Sequence, residues 1–111
     1  MNKYESIIIM KPSVDGKKKE EKLKEYKKYI KELTNGKVEI QDLGKKSLAY
    51  EVQGNKEGVF AIFNFGSNPE KIGELERKYR IDEDVIKFMT VRQEENFEEY
   101  EDSEEDERLY E

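Results

Sequence analysis

Cysteine, histidine and tryptophan are all missing from this chain of 111 residues. Without cysteine there are no disulfides and no thiolate chemistry. Without histidine as well, the commonest general base and the commonest transition-metal ligands are gone. Neither a GxxxxGKS/T loop nor a GxGxxG turn is present, so no phosphate-cradling motif supports a nucleotide enzyme. Carboxylate pairs are no guide, because Asp and Glu together number 27. Long apolar runs are missing too. The run near the N-terminus, Ile7 to Met10, is far too short for a signal-peptide core or a membrane span. The expectation is a cytoplasmic, non-catalytic protein with no membrane partner, no cofactor and no metal.

What the chain does have is charge, at 43% of residues against 34% hydrophobic. The charge is unevenly spread. The whole chain carries −6, and residues 93–111 alone account for −10, which leaves +4 on residues 1–92. The sequence pI near 5.0 therefore describes one segment. Residues 93–111 lack apolar periodicity, and Phe97, Tyr100, Leu109 and Tyr110 stand among acids. Such composition buries too little surface to offset ordering entropy, so an acidic, disordered C-terminal tail is expected there. One folded domain is expected over residues 1–92.

Tyr4 to Lys11 has strand character, with Ile7, Ile8 and Ile9 at its centre. A run apolar on both faces fits a central strand. Pro12 ends it, and Ser13 or Asp15 can cap a following helix by accepting from its free N–H groups. That helix is expected from about Gly16 to Leu33, because Leu23, Tyr26, Ile30 and Leu33 form one apolar stripe. Asn35-Gly36 should stop it, with Gly36 in the left-handed position. Val38 and Ile40 open a second strand, and Leu43-Gly44 interrupts it as a bulge or bend. Leu48, Tyr50 and Val52 resume it on the same parity. Gln53 to Gly58 is expected to turn, and Val59 to Phe65 to form a third strand. Asn68-Pro69-Glu70 starts a second helix with the stripe Ile72, Leu75 and Tyr79. Ile81 lies just beyond. Val85 to Arg92 is the fourth strand. The order β-α-β-β-α-β predicts an α+β, ferredoxin-like split βαβ fold. Two helices would cover one face of a four-stranded antiparallel sheet and leave the other open.

A mildly basic body with aromatics on an open sheet face points to RNA. The candidate RNA- or partner-contacting residues are Lys3, Tyr4, Lys11, Lys45, Lys46, Tyr50, Lys56, Lys87 and Arg92. The cations would neutralise phosphates, and binding would weaken with salt. The tyrosines would stack on a base or donate a hydrogen bond. Plainer readings stand beside these. Tyr50 also fits ordinary strand packing, and the lysines of the first helix fit a solvated face. Asp82-Glu83-Asp84 has the composition of a metal site, but a polar turn before the fourth strand is the simpler account. "KEGVFAIFNF" hints at the aromatic strand of an RNA recognition motif, yet Val59 stands where that pattern needs an aromatic. The alternative from another class is a ferredoxin-like regulatory domain that binds a small ligand between subunits. It predicts a dimer with a defined pocket.

Four stretches carry a family resemblance: "KYESIIIMKPSVD", "DLGKKSLAYEV", "KEGVFAIFNF" and "LERKYRIDEDVIKFMTVR". In this order and spacing they resemble the bacterial 30S ribosomal protein S-six family over residues 3–92. The resemblance implies a ferredoxin-like fold and a structural, non-enzymatic role in the small ribosomal subunit. It implies binding to the central domain of 16S rRNA, paired with ribosomal protein S-eighteen and beside other 30S proteins. It places Tyr4, Leu48, Ala49, Tyr50 and Arg92 at the family's recurring positions. Lys46 takes a position that is often arginine; it keeps the charge without the bidentate fork. Glu51 replaces a frequent proline, and Ser47 a frequent basic residue. Family members often end in acidic extensions. One of −10 would repel rRNA phosphate and point to solvent or to basic neighbours.

Overall fold

The computed structural model describes residues 2–93, so the expected tail lies outside them apart from Gln93. The elements are β1 (Asn2–Met10), α1 (Gly16–Thr34), β2 (Val38–Val52), β3 (Asn55–Ser67), a 3-10 turn (Pro69–Lys71), α2 (Ile72–Ile81) and β4 (Val85–Gln93). The four strands form one sheet in the order β2-β3-β1-β4, and every neighbouring pair is antiparallel. This is the expected ferredoxin-like arrangement. The isoleucine-rich β1 is indeed central, and β2 and β4 are the edges.

Alternation along the strands sorts side chains between two faces. Tyr4, Ser6, Ile8 and Met10 of β1 point to the helices, as do Val59, Ala61, Phe63 and Phe65 of β3. They meet Leu23, Tyr26 and Ile30 of α1 and Leu75 and Tyr79 of α2, all buried. Each buried Val, Leu, Ile, Phe or Met among them contributes about 1.5–3 kcal/mol of hydrophobic stabilisation. Tyr26 and Tyr79 contact each other with ring centroids 5.2 Å apart. Both are buried deeply enough to raise their phenols above the ordinary range, so each hydroxyl needs a partner. The Tyr79 hydroxyl lies 2.7 Å from Ser6 Oγ. Tyr26 donates to Asp82, which also accepts from Lys22 Nζ at 2.6 Å. Lys22 reaches Asp84 as well, at 3.4 Å. The acid triplet is thus a turn in which the Asp82 and Asp84 carboxylates hold α1 against the start of β4.

Three local expectations are corrected. Asn35, not Gly36, takes the left-handed position after α1 (φ 57), and its N–H donates to the Lys31 carbonyl. Asparagine tolerates that region because its short polar side chain bonds locally. The turn after β2 is only Gln53-Gly54, with φ of 51 and 81. Two consecutive positive φ values describe the primed turn that matches strand twist, so β3 begins at Asn55 rather than Val59.

The third correction concerns β2. The expected bulge is present: the register shifts between Asp42 and Gly44, where φ is 78. Before it, Val38 and Ile40 lie opposite Phe65 and Phe63, on the helix side. After it, Lys45 lies opposite Val59 on that same side, and Lys46 opposite Gly58 on the open face. One extra residue reverses parity. A second register shift follows between Ser47 and Val52, and Leu48, Tyr50 and Val52 do not continue the face of Val38 and Ile40. They join Ile9, Phe60 and Lys87 around a depression on the open face.

Candidate nucleic-acid interface

The open face is built from the alternate residues of the strands. Ile7 pairs with Ile62 and Met89, and Ile9 with Phe60 and Lys87 (through β1–β3 and β1–β4 register). Met89 and Val91 on edge strand β4 are 55% and 41% exposed, so an apolar stripe stands uncovered there.

At one end of this face the β2–β3 hairpin curls over the sheet. Gly58 allows it. A Cβ at that position would lie 2.4 Å from Ile9 Cγ2, so only glycine lets the two strands approach so closely. The hairpin arm brings Tyr50 across β3 and β1 to Lys87 of β4. Lys87 Nζ donates to the Tyr50 hydroxyl at 2.9 Å and lies 5.2 Å from its ring centroid. That hydrogen bond and the ammonium charge hold the Tyr50 phenol below the usual tyrosine range. Gln53 fixes the arm a second time through its amide, which donates to the Ile86 carbonyl at 3.2 Å. The depression beneath the arm measures about 190 Å³ and is lined by Leu48, Tyr50 and Lys87 among others. Tyr50 remains 64% exposed, so one side of its ring is available to a base or to another chain.

The nine candidates do not form one patch. Lys46, Tyr50 and Lys87 share the open face near the arm, and Lys56 is exposed near the tip of the hairpin. Lys45 is at the same end but on the helix side, 3.5 Å from Asp15. Lys11 follows β1 there, half-buried, with its backbone N–H on the Asp84 carbonyl. Lys3 and Arg92 sit at the far end. Lys3 is exposed on the open face, whereas Arg92 is opposite Tyr4 on the helix side and donates to Asn2 at 3.2 Å. Tyr4 is corrected as a stacking platform. It is 7% exposed, and its ring is stacked on Phe65, 6.0 Å between centroids. Its even position on a central strand, facing the helices, requires this.

Other surface residues were passed over. Lys37 and Gln93 line a depression of about 530 Å³ at the far end, with Lys3, Asn64 and the edge of Phe65. Met89 and Val91 alternate with Lys87 in "VIKFMTVR"; that parity places them on the lysine's face, and it was the available signal. Among the described residues, no helix is long and apolar enough to cross a membrane.

The family model for ribosomal protein S6 matches residues 3–92. The small ribosomal subunit protein bS6 of Trichodesmium erythraeum is 38% identical over 96 residues, covering 85% of this chain and 82% of that protein. Its counterpart in Gloeobacter violaceus is 35% identical, covering 83% and 96%. Among solved structures, 30S ribosomal protein S6 of Thermotoga maritima superposes with a TM-score of 0.80 at 28% identity, covering 94% of this chain and 97% of that one. The match spans both helices, all four strands and the hairpin arm, and by it this chain belongs to the ribosomal protein S6 family.

Proposed function

We propose that the chain is a non-catalytic constituent of the small ribosomal subunit in the cytoplasm, where it binds the central domain of 16S rRNA together with ribosomal protein S-eighteen. The observation that carries this reading is the joint placement of Lys46, Tyr50 and Lys87 beside an uncovered apolar stripe. Lysines position RNA backbone, and the tyrosine offers a face to a base. The stripe of Met89 and Val91 suits a protein partner, because exposed apolar surface gains from being removed from water and methionine adapts its shape to what it meets. The family membership supports both halves. Lys3 and Arg92 lie at the opposite end of the sheet, so they would serve a second RNA contact or the partner.

Binding to a 16S central-domain fragment, with and without the partner protein and across a range of salt, tests the proposal. Three lysine–phosphate contacts (Lys46, Lys56 and Lys87) give a log–log salt slope of about −2 to −3. Lys46→Glu with Arg92→Glu should cut binding and leave the fold intact. Absence of partner-dependent binding would overturn the ribosomal reading, and a flat salt response would overturn the phosphate contacts. The small-ligand alternative has one observation in its favour, the 530 Å³ depression, which is of ligand size. It requires a dimer, which sedimentation of the isolated chain would reveal.

A further inference from the structure

The lysines of α1 fall into two sets. Lys18, Lys19 and Lys22 are paired with other elements, to Asp84 at 3.7 Å, Asp42 at 3.0 Å and Asp82 at 2.6 Å. Lys24, Lys27, Lys28 and Lys31 are all exposed, and none has a hydrogen bond, ion pair or ring contact among the described residues. Side chains three and four residues apart on a helix are neighbours, with Cβ atoms ~5–6 Å apart. Lys24 therefore adjoins Lys27 and Lys28, and both of those adjoin Lys31. The four make a diamond about 10 Å long.

Acids border only two of its corners. Glu20 and Glu21 stand three or four residues from Lys24, and Glu25 and Glu32 from Lys28. Glu25 turns to the flank nearer α2, where Lys78 Nζ lies 3.4 Å from it. The corresponding neighbours of Lys27 are Leu23, Lys24, Ile30 and Lys31, and those of Lys31 are Lys27, Lys28, Thr34 and Asn35. The helix dipole accounts for a lysine in the last turn, which is Lys31, but fades before Lys24 and Lys27. Over its whole length α1 has eight lysines and four glutamates. Its +4 equals the net charge of residues 1–92, so the rest of the folded body is balanced. The net positive charge thus sits on the helix side of the sheet, away from the open face with Lys46 and Lys87.

We infer that Lys24, Lys27, Lys28 and Lys31 form a second RNA-backbone contact, so that the chain bridges two RNA segments from opposite sides of its sheet. An acidic protein suits the diamond less well. Protein interfaces are depleted in lysine and centre on apolar or aromatic anchors, and the diamond exposes none. A phosphate backbone asks chiefly for charge, and a duplex supplies one about every 1.7 Å of its axis. Flexible ammonium groups meet such an array without the fixed fork of arginine. The partner also relieves the repulsion among four neighbouring cations. The contact positions RNA without reading its sequence. Bridging rests on the RNA-binding reading above, whereas the phosphate contact stands on the diamond alone.

The test is binding of the full chain to a fluorescent 20-bp RNA duplex of arbitrary sequence, by anisotropy from 50 mM salt upward. Lys24→Gln/Lys27→Gln/Lys28→Gln/Lys31→Gln should bind at least tenfold more weakly than the parent at the lowest salt. Its log–log salt slope should be shallower by about 3 to 4, the share of four phosphate contacts. Lys46→Gln/Lys87→Gln should bind the duplex within about threefold of the parent. Parent-like binding by the α1 variant overturns the proposal, and so does an equal loss from the open-face variant. Poly-glutamate that displaces the duplex at equal charge concentration overturns RNA as the occupant. The α1 variant should unfold in urea at a midpoint no lower than the parent's, because like charges have been removed. If the midpoint is lower, Lys27→Gln/Lys31→Gln carries the test with a slope shallower by about 2, and an unchanged slope overturns the contact. The bridge is read on an immobilised 16S central-domain fragment loaded with the chain and its partner protein. The loaded parent should retain the duplex, and the loaded α1 variant should not. A duplex that displaces the parent from the fragment overturns a separate site. If the fragment holds neither protein while the duplex still separates parent from variant, the ribosomal reading fails and the diamond stands.

Discussion

Gly58→Ala tests the geometry that carries the hairpin arm. The added Cβ would meet Ile9 Cγ2 at 2.4 Å and the Met10 carbonyl oxygen at 3.3 Å. Carbons in contact sit at ~3.5–4.0 Å, so Ile9 must yield by about an ångström. Its β-branch restricts χ1, so the half-buried methyl can yield only toward the depression it lines and against that preference. Overpacking of this kind costs about 1–3 kcal/mol. Alanine regains about 0.5–1 kcal/mol over glycine from the unfolded chain. The net expectation is a loss of about 0.5–2 kcal/mol, read by urea unfolding as a lower midpoint at unchanged slope. Ile9→Leu moves the branch away from Cβ and removes the colliding methyl, itself at less than about 1.5 kcal/mol. The double variant should then be more stable than the sum of the single effects by about 1 kcal/mol. The single substitution should also part Tyr50 from Lys87, visible as a shift of the Tyr50 ring resonances. A Gly58→Ala protein as stable as the parent, or a cycle with no coupling, would refute the close approach.

Asp82→Asn should destabilise the chain by about 1.5–3 kcal/mol at neutral pH, since it weakens charged hydrogen bonds from Tyr26 and Lys22. Burial alone would raise the Asp82 carboxyl, but those bonds and the Asp84 N–H hold it below the usual carboxylate range. A carboxyl depressed in the folded state stabilises above its unfolded value of ~3.9 and loses that contribution as pH falls through the folded value. Parent and variant should therefore converge in acid, and a constant gap down to about pH 2 contradicts the assignment. The two tyrosine candidates should separate cleanly. Tyr4→Ala costs about 3–5 kcal/mol in thermal or urea unfolding, whereas Tyr50→Ala changes stability by less than about 0.5 kcal/mol and weakens RNA binding about tenfold or more, the scale of one stacked base. Lys87→Ala should move the Tyr50 phenol upward to the ordinary range in an NMR pH titration, because both causes of its depression leave with the ammonium group.

The element order and most of the core were legible because they rest on local periodicity. Leu23, Tyr26 and Ile30 mark α1 at helical spacing, and all three are buried. The triple isoleucine of β1 marks a central strand, and β1 pairs on both sides. The candidate site was legible only in part. Its residues depend on which face a strand residue takes, and that information is not local. Tyr4 and Tyr50 are both strand tyrosines near lysines, but Tyr4 faces two helices and Tyr50 faces none. Two register shifts, at Leu43 and between Ser47 and Val52, decide the second case, and parity counted straight through from Val38 gives the wrong side. The extent of β3 was missed for a related reason. Asn55, Lys56, Glu57 and Gly58 have turn composition, yet two positive φ values at Gln53 and Gly54 already close the hairpin. Lys37 and Gln93 carry no pattern of their own and line one depression only because β2 starts and β4 ends at the same end of the sheet.

The bulge at Leu43 and Gly44 divides the labour within one ribbon. Residues before it answer to the core, where Val38 and Ile40 are constrained by the volume under the helices. Residues after it answer to whatever approaches the open face. A substitution in the arm can therefore change recognition without repacking the interior, while loss of one residue at the bulge would exchange the two roles at once. Lys46 would turn inward, and Lys45 outward. In this strand, length counted to the single residue matters more to binding than the identity of most side chains on it.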